Sequence, residues 1–409
     1  MTSDKDAQAD AGVTTGVSRR SLLAGAAAGF GVGAASVFAA HALNSSARAP
    51  KHAEQSLNGD TVIPCHGVHQ AGITTEPQSH ARLLAFNLHA ATDAAALKRL
   101  LRVLTDDIEA LTTGQGALAD NEPQLAASPA GLTVTVGFGA ELVRRVNPRR
   151  LPEWLAPLPD FSRDALQEEF VGGDLLLQIC SDDALTVAHA SRMLQKTVRG
   201  FASLFWCQDG FRRAYGSEKS GTTMRNLMGQ IDGTVNPNVT SDSDMSETVW
   251  LDSAASWLSG GTAFVLRRIR MEMDTWDQVD RVGRENVVGR TLANGSPLTG
   301  NSEFDEPDFE ATNAVGLPII HAGAHIRRAH STQSAERILR RSYNYDAGSE
   351  QGLLFICFQQ DPLRQFVPIQ QRLDELDLLN TWVTHIGSAV FALPPGWQKG
   401  GMLGETLFA

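Results

Sequence analysis

The chain reads as an α+β protein in which antiparallel sheets are covered by helices on one face, laid out as two related halves. Three observations predict this. Apolar strand-like runs alternate with amphipathic helical segments along the whole chain. The run Leu175–Cys180, followed by Asp182, is echoed by Leu353–Phe358, followed by Asp361. Glycine fingerprints of a P-loop, a dinucleotide-binding βαβ unit or a nucleophile elbow are absent, which takes support from nucleotide-binding and α/β-hydrolase readings.

Taken in order, the short apolar run Leu83–Leu88 predicts a strand. Asp93–Leu111 predicts a helix, with Ala96, Leu97, Leu100, Leu101 and Leu104 at helical spacing. Leu132–Val136 is β-branched enough for a strand that Gly137 should stop. Leu175–Cys180 is a further strand and Asp183–Thr197 a further helix. In the second half, Thr262–Ile269 and Leu353–Phe358 predict strands and Leu363–Leu373 a helix. The expected organisation is a leader over 1–42, a linker over 43–60, and two domains over 61–220 and 221–409.

The leader has a specific reading. Ser18-Arg19-Arg20-Ser21-Leu22-Leu23 opens a run to Ala40 without a single charge, rich in Ala and Gly. A twin-arginine pair before a weakly apolar segment is the mark of the export route that carries folded, often cofactor-loaded proteins. Ala40-His41-Ala42 fits the small-x-small cleavage rule, so the mature chain should begin near Leu43 and keep no membrane span. The rival reading is an uncleaved membrane anchor, for which the run is just long enough but only weakly apolar. Extracellular or periplasmic and cell-envelope locations follow as expectations. The formal net charge of −11 argues against nucleic acid or anionic membrane as partner. Cys65, Cys180, Cys207 and Cys357 contain no C-x-x-C spacing, which sets aside metal fingers and thiol redox motifs. Cys180 and Cys357 end apolar runs and read as buried small hydrophobes.

Two segments carry candidate chemistry. In Gly229-Gln230-Ile231-Asp232-Gly233-Thr234-Val235-Asn236-Pro237 a carboxylate stands beside glycine, where a flat ligand could lie against the main chain. Asp-Gly and Asn-Pro turn chemistry alone also accounts for that stretch. Three of the eleven histidines, His321, His325 and His330, fall within ten residues. His321 and His325, four apart, could share a helix face and bind a metal. A basic surface helix with incidental histidines is the other reading.

Taken together and in order, Gly229–Pro237, Ala324-His325-Ile326-Arg327-Arg328-Ala329, Arg340-Arg341-Ser342-Tyr343 and Gly352–Asp361 resemble the dye-decolorizing peroxidase family, which includes deferrochelatase-like members. The resemblance runs from about residue 61 to the C-terminus. It includes Gly67–Ile73, Thr133–Gly139, Arg267–Arg270 with Trp276, and Gly387–Gly396.

What the resemblance implies is a pair of ferredoxin-like modules of the dimeric α+β barrel type, holding one haem b per chain mainly in the second. It implies His325 as the axial ligand of the haem iron, Asp232 as the distal acid–base carboxylate and Arg340 as the distal arginine. Gly233, Thr234 and Val235 would pack on the porphyrin, and His330, Ser331 and Thr332 would contact the haem or its propionates. Hydrogen peroxide and small aromatic donors are the implied partners, with a homo-oligomer possible. A carboxylate stays a base to lower pH than an imidazole, and a guanidinium stays charged throughout. Iron removal from haem is the alternative activity the same resemblance allows.

Two departures stand out. Ser331 follows His330 where relatives often carry proline, so a looser loop is expected there. Asn380-Thr381-Trp382 lies where relatives often place the carboxylate that supports the axial histidine, and Asp377 is the nearest acid in sequence. Trp276, Trp382 and Trp397 are candidates for relaying electrons at the surface, with ordinary core or rim packing the favoured reading of each.

Overall fold

Nine strands form the framework of the computed structural model, which describes residues 57–252 and 256–409. The twin-arginine segment, its cleavage site and all but the last few residues of the expected linker lie outside the described residues. Among the described residues no helix is long and apolar enough to cross a membrane.

The strands are β1 (His80–Leu88), β2 (Thr133–Phe138), β3 (Leu175–Ser181), β4 (Ala202–Phe211), β5 (Thr262–Met271), β6 (Leu339–Arg340), β7 (Tyr343–Asp346), β8 (Gln351–Gln359) and β9 (Val383–Leu393). The helices are α1 (Ala94–Thr112), α2 (Ala140–Val146), α3 (Ala184–Val198), α4 (Asp242–Thr248), α5 (Met273–Trp276), α6 (Arg281–Val288), α7 (His325–Ala329) and α8 (Phe366–Leu376). The two long helices of the first half start on side-chain caps. Asp93 accepts from the Ala96 N–H at 2.7 Å, and Asp183 from the Thr186 N–H at 3.1 Å.

All named strand pairs are antiparallel, in the order β5-β9-β2-β3-β1-β4-β7-β8, and a β5–β8 pairing closes the circuit. With β6 and β7, which both pair with β8, counted as one interrupted strand, each half contributes four strands in the same order. In the first, β4-β1-β3-β2 places the first strand between the fourth and the third; in the second, β9-β5-β8-β7 does the same. This is the ferredoxin-like order twice over. It explains the echo in the sequence, because β3 and β8 are the third strand of their respective halves. The halves are stitched by single rungs, Phe138↔Ala392 and Phe211↔Asn344, so the two sheets make one barrel without a free edge between β2 and β9.

Alternation along the strands separates two cores. Ala81, Leu83 and Ala85 of β1 pack with Leu176, Phe264, Leu354, Ile356, Phe358 and Phe391. Leu84, Phe86 and Leu88 face the other way, onto Leu97, Leu100, Leu101, Met193 and Leu194 of α1 and α3. Gly137 does not stop β2, as had been expected. The strand runs through it, and a Cβ there would meet the Phe391 Cβ at 2.9 Å. Glycine is present for close approach of β9 rather than for a turn. Cys180 and Cys357 are buried, Cys207 is exposed, and all four cysteines are free.

Candidate active site

The first candidate segment is shaped by a tight turn. Asn226 N–H donates to the Gln230 carbonyl at 3.0 Å, and Asn226 Oδ1 accepts from Gln230 N–H at 3.1 Å. Gly229, at φ +85°, supplies the left-handed residue this turn needs. Asp232 is then fixed by its own N–H on the Met224 carbonyl at 2.8 Å. Gly233, at φ +126°, lets the main chain turn away immediately after the carboxylate, in a conformation closed to residues with a Cβ. The turn chemistry of this stretch is therefore present, and it fixes where the Asp232 carboxylate stands.

Arg340 lies on β6, which is paired to β8 at Cys357. Its main chain is clamped by Asn236, which accepts from Arg340 N–H at 2.9 Å and donates to the Arg340 carbonyl at 3.0 Å. The guanidinium donates to the Val235 carbonyl at 3.0 Å and places Nη1 3.6 Å from Asp232 Oδ1. That separation is a charge contact rather than a hydrogen bond. It leaves both groups with free hydrogen-bonding capacity. Thr234 turns its hydroxyl to Glu303 at 3.0 Å.

His325 opens α7 and does not share a helix with His321. His321 sits in the preceding turn, where its Nδ1 accepts from Gly323 N–H at 3.0 Å. The metal reading of that pair fails, and among the described residues no group of three potential metal ligands exists. Gly323 decides where His325 goes. A Cβ there would stand 2.7 Å from the Leu376 carbonyl, and the Gly323 carbonyl accepts from Leu378 N–H at 2.9 Å. The start of α7 is thus pressed against the end of α8, where Asp377 caps the helix.

Asp377 Oδ2 lies 2.6 Å from His325 Nδ1, and its Oδ1 accepts from Leu379 N–H at 2.9 Å. A carboxylate only accepts, so Nδ1 carries a proton, and in the neutral ring the Nε2 lone pair is free. Burial pulls the His325 imidazole towards neutrality, but the charge and hydrogen bond of Asp377 outweigh it, and its pKa lies above the ordinary value. The supporting acid is therefore present at Asp377. Asn380, at the position first considered, instead caps α8 by donating to the Leu373 carbonyl at 2.8 Å.

These groups share one cavity of about 570 Å³. Asp232, Gly233, Thr234, Val235, Arg340, His325, His330, Ser331 and Thr332 all line it. Its walls are largely apolar, with Ile269 and Met271 from β5, Leu353 and Phe355 from β8, and Ile369 and Leu373 from α8. Ser331 tightens its loop, contrary to expectation. Its hydroxyl donates to Glu336 at 2.6 Å and accepts from Gln333 N–H at 3.0 Å. Trp276 and Trp397 are buried, with Trp276 edge-to-face on Trp382 at 5.2 Å, so neither buried ring is a surface relay.

Two sequence-family models cover most of the described chain. The model for the N-terminal part of Dyp-type peroxidases matches residues 70–212, and that for the C-terminal part matches residues 223–398. The chain belongs to the Dyp-type peroxidase family. The family's cofactor is haem, and the apolar walls, the free imidazole nitrogen and the polar rim at 330–334 fit that group. A dye-decolorizing peroxidase of Thermobifida fusca is 34% identical over 96% of this chain and 97% of its own length. The deferrochelatase of Escherichia coli K12 is 33% identical over 81% of this chain and 84% of its own. The crystal structure of a DyP-type peroxidase from Cellulomonas bogoriensis is 50% identical, covering 86% of this chain and 99% of that one, with a TM-score of 0.83.

Arg267 and His385, which also line the cavity, were not assigned a role from sequence. Arg267 sits among four consecutive residues of which three are arginines, and only strand alternation tells which of these faces the cavity.

Proposed function

We propose that this protein is a haem peroxidase that reduces hydrogen peroxide and oxidises phenolic or dye-like aromatic donors, with His325 as the axial ligand. The observation that carries this reading is the His325–Asp377 pair, which presents a free Nε2 to a cavity that also holds Asp232 and Arg340. When bound, haem supplies a redox-active iron and a conjugated ring that exchange electrons with peroxide and with donors.

The chain's residues supply the rest. His325 would hold the iron through Nε2, and Asp377, accepting the hydrogen bond from Nδ1–H, makes that nitrogen a stronger donor. Asp232 accepts the proton of the incoming peroxide and returns it to the departing oxygen, which leaves as water. Arg340 stabilises negative charge on that oxygen. Two electrons from two donor molecules and two protons complete the reduction of one peroxide to two waters. Gly233, Thr234 and Val235 would pack against the ring, and His330, Ser331 and Thr332 would hold its polar edge.

Peroxide-dependent bleaching of a dye tests these roles. Asp232→Asn and Arg340→Leu should each lower the rate by about 10²-fold with the haem absorption spectrum retained. Undiminished bleaching in both would remove the pair from the mechanism. The identity with deferrochelatases supports a second reading, iron removal from haem. Incubation with haem should then release metal-free protoporphyrin, whereas a peroxidase releases none. The twin-arginine segment supports export as a folded, haem-loaded protein. Replacing Arg19 and Arg20 by lysine should trap the protein inside the cell.

A further inference from the structure

The cavity wall holds a buried charge that the peroxidase reading does not use. Arg267 on β5 lines the cavity and is 1% exposed. A guanidinium so enclosed is strongly unfavourable unless it is paired. Its Nη2 donates to the Asp164 carboxylate and its Nη1 to Ser388 Oγ at 3.3 Å, while Nε has no partner.

Asp164 comes from the other half of the chain, on a strap over residues 160–172 that lies along β9. Ala165 N–H donates to the His385 carbonyl at 3.0 Å, Gln167 N–H to Ile386 at 2.8 Å, and Gly172 N–H to Ser388 at 2.9 Å. Asp374 of α8 pins the start of the strap by accepting from Ser162 and Arg163 N–H at 2.9 and 2.8 Å. His385 is the remaining titratable group at this wall. Its Nδ1 stands 3.8 Å from Asp164 Oδ1 without a hydrogen-bond partner. Burial, then the charge of Arg267, lowers its pKa to about 3, so it adds no charge at neutral pH.

We infer that Asp164 is a positioning residue that sets the electron affinity of the haem iron by cancelling the charge of Arg267 in the cavity wall. Reduction of ferric to ferrous iron adds one negative charge inside a poorly screened cavity. A lone guanidinium there would stabilise the reduced form, whereas an ion pair presents only a dipole whose field falls off faster. By holding the counter-charge, the strap keeps the resting iron ferric, the state that reacts with peroxide. The N-terminal half thereby acts on a cofactor bound mainly by the other half.

This inference rests on the haem reading, and one experiment separates the two. In haem-loaded protein, the ferric/ferrous midpoint potential is measured by spectroelectrochemistry for wild type, Asp164→Asn, and Asp164→Asn with Arg267→Met. The single variant should shift to higher potential with its haem band intact, and the double variant should return close to wild type. An unshifted single variant, or a double variant that keeps the shift, overturns the inference. Should Asp164→Asn fail to fold, Arg267→Met is compared with the double variant at alkaline pH. There the unpaired carboxylate should lower the potential, and equal values overturn the inference. Wild-type protein that never acquires a haem band contradicts the haem reading instead.

Discussion

Two histidine–aspartate pairs, one in each half of the molecule, have nearly the same geometry and opposite fates. In the first half, His189 of α3 places Nε2 2.8 Å from Asp120, with side-chain exposures of 2% and 0%. In the second, His325 places Nδ1 2.6 Å from Asp377, with exposures of 33% and 3%. The second nitrogen of His189 is buried and has no partner, so the pair is sealed and serves to anchor the loop before Asp120 to a helix. The second nitrogen of His325 faces a cavity. A carboxylate-held imidazole becomes a ligand only where packing leaves its other nitrogen room to bind.

The sharpest way to break this comparison is to delete both rings. His325→Ala should abolish the haem absorption band on reconstitution, whereas His189→Ala should keep it and lower only the melting temperature. Haem binding lost equally in both variants would erase the distinction. Removing the acids should give a smaller contrast. Asp377→Asn should weaken haem affinity or peroxidase rate by about 10–100-fold, read by haem titration and dye bleaching. Asp120→Asn should leave both unchanged and cost about 2 kcal/mol in denaturant unfolding, because a buried hydrogen bond to His189 is weakened.

The effect narrowest in pH range is confined to acid and concerns a third histidine, His385, which has no carboxylate within hydrogen-bonding distance. Its pKa falls from the ordinary 6.5 to about 3. The unfolded chain therefore binds a proton that the folded one refuses between those values. Stability contributed by neutral His385 is full above pH 6.5 and declines as pH falls towards 3. In haem-free protein, His385→Gln should flatten that acid limb of the melting-temperature profile. An unchanged slope would show that the imidazole does not titrate in that range.

Local chemistry made much of the framework legible. The helix starts at Asp93 and Asp183 and the strands at Leu175 and Leu353 depend on capping and periodicity, which neighbouring residues carry. The strands Ala202–Phe211 and Val383–Leu393 were not read from sequence. In Val383–Leu393 alternation is blurred because both faces are buried over Ile386–Leu393, whereas in Ala202–Phe211 exposed Leu204 and Phe205 and buried Gln208 break it. Asp377 was visible as an acid near the right place, but its reach depended on Gly323 letting α7 press against α8. Ser331 looked like a loosening substitution until its hydroxyl was found on Glu336.

By itself the sequence determined the two-half α+β plan, because periodicity is a local property, and its family resemblance singled out Asp232, His325 and Arg340, which the fold brings to one cavity. Tertiary structure alone decided that His321 stands apart from His325, that Asp377 supports it, and that Asp164 crosses from the other half to neutralise Arg267. Such pairings join residues 52 and 103 positions apart. They arise only when packing closes the barrel and excludes water from charges that must then find partners.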